Sequence, residues 1–215
     1  MQPTAALVAM TVAAITLAAT SSSTLSPFGL PAGSTVRYRV TAQSSQPGNK
    51  TQAATRTIAL RHLAESSVRV LVNGKNMGNV GVSGDGSADV PDSLQTTLAP
   101  LMQVATFVKA APSPLASDDT WTAMLPVPLG TQTDNVSITL KATQLVQGAG
   151  TIAGTGSNTF NVQMANGTFP ADVTVNVTIG YGTAHTLTSA SCTFSAVVHQ
   201  QRDRRYGGSW TITPL

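Results

Sequence analysis

The sequence predicts a mainly β protein: a single curved antiparallel sheet, built as an open half-barrel or a sandwich, with one proline-interrupted helix. Three observations predict it. Polar and apolar residues alternate with a period of two over most of the chain beyond about residue 33. Turn dipeptides such as Pro47-Gly48, Asn73-Gly74 and Asn166-Gly167 punctuate the alternating runs. Between residues 92 and 110 the apolar spacing changes to three and four.

The chain starts without charge. Its first 36 residues contain no Lys, Arg, Asp, Glu or His, and residues 5–19 (AALVAMTVAAITLAA) are apolar or small. A helix of that length, at about 1.5 Å per residue, falls short of a bilayer core of about 30 Å. It matches the hydrophobic core of a signal peptide, followed by the small residues Ala18, Ala19, Thr20 and Ser21, although no Lys or Arg precedes it. The expected organisation is a signal peptide over 1–21, a flexible linker over 22–33 and a single β-rich domain over 34–215. A helical insert occupies about 92–110. The expected location is exported, periplasmic or extracellular, with membrane contact only through an uncleaved leader.

The strands follow from their alternation. Residues 34–43 place Val36, Tyr38 and Val40 on one face and Arg37, Arg39 and Thr41 on the other. Residues 53–63 and 67–73 complete a three-stranded meander. The Gly-rich stretch 74–91 reads as a turn or a weak edge strand. Leu94, Leu98, Leu101, Ala105 and Val108 form one helical stripe, with Asp92 or Ser93 as its cap. Pro100 predicts a kink or two short helices. Residues 111–130, rich in proline, read as a long link pinned by Trp121. Strands return over 134–146, 151–164, 172–181, 185–198 and 209–213. Gly154–Asn158 reads as turn-rich.

Composition narrows the function classes. Charged residues make up 10% of the chain and aromatics 5%, and the net charge is +3. That lacks the dense basic footprint of a nucleic-acid binder. A single cysteine, Cys192, cannot form an intramolecular disulfide and alternates with Ala190, Phe194 and Ala196 as a small core residue. Gly148–Ala153 matches a dinucleotide fingerprint but lacks the helix that would face a pyrophosphate. Asp85, Ser87 and Asp89 have Ca²⁺-ligand spacing, yet Thr96 stands where an EF-hand needs Glu. His62, His185 and His199 are isolated in sequence, so no catalytic residue, metal ligand or cofactor is expected. Arg37, Arg39, Arg61 and Arg69 come from neighbouring strands and form a candidate face for an anionic partner.

This order of leader, three-strand meander, proline-interrupted helix, Pro/Trp link and terminal meander resembles secreted bacterial half-barrel proteins of the lipoprotein-carrier type. The resemblance is architectural and covers about residues 34–213. Those carriers hold acyl chains in the concave face. It implies that Val36, Tyr38, Val40, Ile58, Leu60, Leu98 and Leu101 line a cavity for a lipid or apolar ligand. The expectation is an exported, non-enzymatic β protein, with a surface or fimbria-like structural subunit and then a hydrolase as alternatives.

Overall fold

The computed structural model describes residues 25–215 apart from 49, 65, 130–131, 147–148, 165 and 183–185. The expected signal peptide therefore lies outside the described residues. The elements are β1 (Thr35–Ser45), β2 (Gln52–Ala64), β3 (Ser67–Val72), β4 (Lys75–Val82), β5 (Ala88–Asp89), α1 (Asp92–Lys109), β6 (Thr120–Leu129), β7 (Gln132–Val146), β8 (Ala149–Met164), β9 (Gly167–Tyr181), β10 (Leu187–Val198) and β11 (Arg204–Pro214).

All eleven strands form one antiparallel sheet in the order β5-β4-β3-β2-β1-β11-β10-β9-β8-β7-β6. It is not closed into a barrel. Two meanders thus meet at the centre, where β1 pairs with β11 from Tyr38–Pro214 to Ser45–Gly207. The first meander ends at one edge of the sheet and the second begins at the other. The chain must cross between those edges, and α1 makes most of that crossing. Its apolar stripe seals against the inner face: Leu94, Leu98, Leu101, Val104, Phe107 and Val108 are buried.

Several elements differ from the sequence expectation, each for a local reason. Pro100 lies inside one continuous helix, which removes the two-helix alternative, at the cost of a single hydrogen bond to the carbonyl of Thr96. The cap position is held by Pro91 without a side-chain cap; Asp92 is the first helical residue and accepts from Gln95 Nε2 at 2.9 Å. Residues 74–91 hold a full strand, β4, whose Val80 and Val82 reach the core. Part of the expected link is strand β6, with Trp121, Ala123, Leu125 and Val127 inward. Pro126 and Pro128 are compatible with it because β6 pairs only with β7. Backbone groups alternate sides along a strand, so prolines of one parity cost nothing at an open edge. Gly154 and Gly156 are mid-strand in β8: a Cβ on Gly154 would lie 2.6 Å from Leu140 Cδ2, and one on Gly156 would strike the carbonyl of Ser137. They give room to β7, and form no turn.

The linker reading also needs correction. Leu25 and Phe28 are 4% and 1% exposed, within the main core. The Tyr181 hydroxyl donates to the carbonyl of Leu25 at 2.7 Å, and Ser26 Oγ donates to the carbonyl of Gly86. Tyr181 ends β9 and Gly86 lies between β4 and β5. Residues 25–28 therefore span the open side of the curved sheet and plug one end of it. Burying these two apolar side chains offsets much of the entropy of ordering the segment.

Candidate functional site

The plugged end is where β1 and β10 begin and β9 and β11 finish. Beside the plug lies a mostly apolar pocket of about 510 Å³. Leu25, Pro27 and Leu30 form its plug wall, Val36 and Tyr38 come from β1, and Leu187, Thr188 and Pro214 come from β10 and β11. Thr35 and Arg37 stand at its outer rim. The volume falls in the range of small-molecule sites, which combine apolar walls with few polar groups. Tyr38 and Tyr181 are both buried, and desolvation pushes both phenols far above their usual range. They remain neutral hydroxyls at any physiological pH.

The structure divides the expected lining residues. Val36 and Tyr38 border the pocket. Ile58, Leu60, Leu98 and Leu101 are 0% exposed and Val40 is 5% exposed, all within the core cluster that includes α1. At those positions the helix occupies the concavity, so their apolar area is spent on the core. No sequence pattern distinguishes a residue that faces a helix from one that faces a void.

The arginines are brought together. Arg61 lies directly opposite Arg69, and Thr35 opposite Arg61, which puts Arg37 diagonally across from Arg61. Arg39 continues the row along β1, opposite Thr57. All four are on the outer face, since Tyr38, Val40, Ile58 and Leu60 occupy the inner one. Arg37, Arg39 and Arg61 are exposed and Arg69 is half-buried. The ion pairs among the described residues involve Lys109, Lys141 and His199, not these arginines. Arg56 is different: it is on the inner face, opposite Val40, and its Nη1 donates to Thr97 Oγ1 of α1 at 3.0 Å.

Several of the other ionisable groups have structural partners. Asp85 accepts from the backbone and hydroxyl of Ser87 and pairs with Lys109 at 2.9 Å, which ties the β4–β5 loop to the end of α1 and holds the carboxyl below its usual range. Asp118 pairs with Lys141, and Asp119 accepts from the backbone N–H of Ala116. His199 has Asp172 on Nε2 at 2.9 Å and Asp203 on Nδ1 at 3.3 Å. Hydrogen bonds to the two carboxylates raise its pKa, and Asp172 is lowered in turn. Carboxylates on opposite ring nitrogens cannot converge on one cation. Ser189 lies ten positions along the chain from His199, about 30 Å at ~3.3 Å per residue. A nucleophile–base pair between them is excluded. His185 lies outside the described residues. Burial pushes the Cys192 thiol up to about 11, as befits a core residue.

Sequence reasoning missed the plug and the β10 wall of the pocket. One signal was present: Leu25, Phe28 and Leu30 are large apolar residues, with Pro27 among them and Pro31 after them, in an uncharged segment. Compared with known proteins, the chain matches no protein-family model and no curated protein sequence.

Proposed function

We propose that this is an exported, non-enzymatic binding protein whose pocket at the plugged end takes the apolar part of a small amphiphile such as a lipid. One observation carries the reading: a pocket of about 510 Å³ has apolar walls from Leu25, Val36, Leu187 and Pro214, with Arg37 at its rim. That arrangement suits an acyl chain with a polar head outside. The resemblance to lipoprotein carriers is consistent with it, although the ligand position differs from a concavity that α1 already fills. A binding role is favoured over hydrolysis because both ring nitrogens of His199 are engaged by carboxylates.

The test is native mass spectrometry with lipid extraction on the full chain recovered from a bacterial periplasm. A co-purifying apolar molecule is expected, and Thr188→Trp, which fills the pocket from an exposed position, should abolish it. A ligand-free protein that also fails to bind a fluorescent fatty acid would overturn the reading. A second reading, a structural subunit, is favoured by the unpaired edge of β6, beside which Met102, Phe107 and Met124 line a groove of about 330 Å³. Concentration-dependent oligomers in sedimentation would support that alternative.

A further inference from the structure

We infer that the outer face of β1–β3 docks on an anionic phospholipid bilayer through Arg37, Arg61 and Arg69. Three independent observations lead there. First, register places Arg61 and Arg69 as a directly opposed pair, with Arg37 on the diagonal. Opposed side chains of an antiparallel pair have Cβ atoms about 5 Å apart, and like charges there repel. Second, nothing nearby relieves that repulsion among the described residues. Asp89 is the carboxylate that register places on the same face, and it stands two strands from Arg69; Glu65 lies outside the described residues. The buried Nε of Arg69 has no hydrogen-bond partner. That buried nitrogen is closed to outside ligands, but an opposed arginine pair with no counter-charge beside it favours an external anion with several oxygens at its exposed guanidinium groups, which a phosphate supplies.

Third, the cluster adjoins the pocket. Arg37 and Thr35 belong to both, Thr35 lying opposite Arg61. A surface that holds phosphate groups against these arginines brings the mouth of an apolar pocket to the headgroup layer. This choice of a bilayer over a soluble polyanion rests on the pocket reading above; the anion site itself does not. Beyond Arg39 and the scattered Lys141, Asp172 and Arg205, the outer face carries mostly hydroxyls and amides, for example Thr139, Thr155, Asn176, Thr193 and Ser209 in one cross-strand row. The positive charge is therefore concentrated on β1–β3 and would orient the molecule.

The test is co-sedimentation of the full chain with vesicles of phosphatidylcholine alone and of phosphatidylcholine with 30% phosphatidylglycerol. Binding is expected only with the anionic vesicles, weakening at high salt as the charges are screened. Each arginine removed should cost about fivefold in partitioning. The triple variant Arg37→Gln/Arg61→Gln/Arg69→Gln should lose binding, and the single exposed change Arg61→Gln keeps the test valid if the triple variant does not fold. Thr188→Trp should bind anionic vesicles normally, so loss of the pocket ligand and loss of docking are separable. Equal binding to both vesicles, binding unaffected by Arg61→Gln, or capture by soluble polyphosphate without vesicle binding would overturn the inference.

Discussion

The two flanks of the sheet obey the same alternation but fill the interior with inner residues of different size. On the β1–β4 flank the inner residues are large: Tyr38, Val40, Ile58, Leu60, Val68 and Val70. They share the interior with α1, which lies closest to β6 and β11, where the Trp121 and Trp210 indoles donate to the Phe107 carbonyl and to Gln103 Oε1. On the β7–β10 flank the inner face mixes large residues with Gly154, Gly156, Ala142, Ala171, Ala190 and Ala196. There the sheet packs on itself, with Val136, Ile138 and Leu140 of β7 in the space that the β8 glycines leave. Outer faces diverge as well: arginines cluster on one flank, and Thr, Ser and Asn predominate on the other around Lys141 and Asp172. Period-two patterning decides which residues go inward but not what meets them.

The sharpest way to break this comparison is to trim the helix. Leu98→Ala leaves a cavity between α1 and the sheet, and should cost about 3 kcal/mol in urea denaturation, within the usual range of 2–5. A cost below about 1 kcal/mol would mean the helix merely rests on the sheet. The other flank should fail by overpacking. In Gly156→Ala the new methyl meets the carbonyl of Ser137 and the side chains of Val136 and Ile138, at a cost of about 2 kcal/mol. Gly84→Ala, with nothing within 4 Å, is the matched control and should be nearly neutral.

Smaller effects sharpen the contrast between outer faces. Arg69→Thr removes one member of the opposed pair and the unpartnered Nε. It should stabilise the protein by a few tenths to about 1 kcal/mol, less at high salt. If the melting temperature falls instead, Arg69 contributes packing that outweighs the repulsion.

The smallest expected effect is a pH drift from two histidines of opposite sign. His62 is 2% exposed, its Nε2 has no partner, and desolvation lowers its pKa below the ordinary 6.5. The unfolded chain then binds the proton more tightly than the folded one. Stability is complete above about 6.5 and declines as pH falls from there toward the folded value. For His199, hydrogen bonds to Asp172 and Asp203 raise the pKa above 6.5. Its contribution is complete below about 6.5 and is lost as pH rises through the folded value. In melting profiles, His62→Phe should flatten the acid limb and leave the other. His199→Gln should do the reverse. If neither limb responds, the carboxylates govern both.

Much of the architecture was legible. Val36-Tyr38-Val40, Val173-Val175-Val177 and the stripe from Leu94 to Val108 identify strands and helix because each element has one buried face. The misreadings share a cause. Pro126 and Pro128 look like strand breakers until β6 is known to be an edge, and Gly154-Thr155-Gly156 looks like a turn until Leu140 is known to lie against it. Leu25 and Phe28 look like linker until the sheet they plug is in place. In each case a distant partner overrides the local preference.

The sequence by itself determined the class of this protein, the inward set of apolar residues and the helix over Asp92–Lys109, because alternation and helical spacing are local and reflect burial directly. The strand order, the plug over the open end and the division of one apolar set into core and pocket were decided by the tertiary structure alone. So was the encounter of Arg61 with Arg69. Those features depend on which strands become neighbours and in what register, and a register is a property of pairs of segments that no single segment contains.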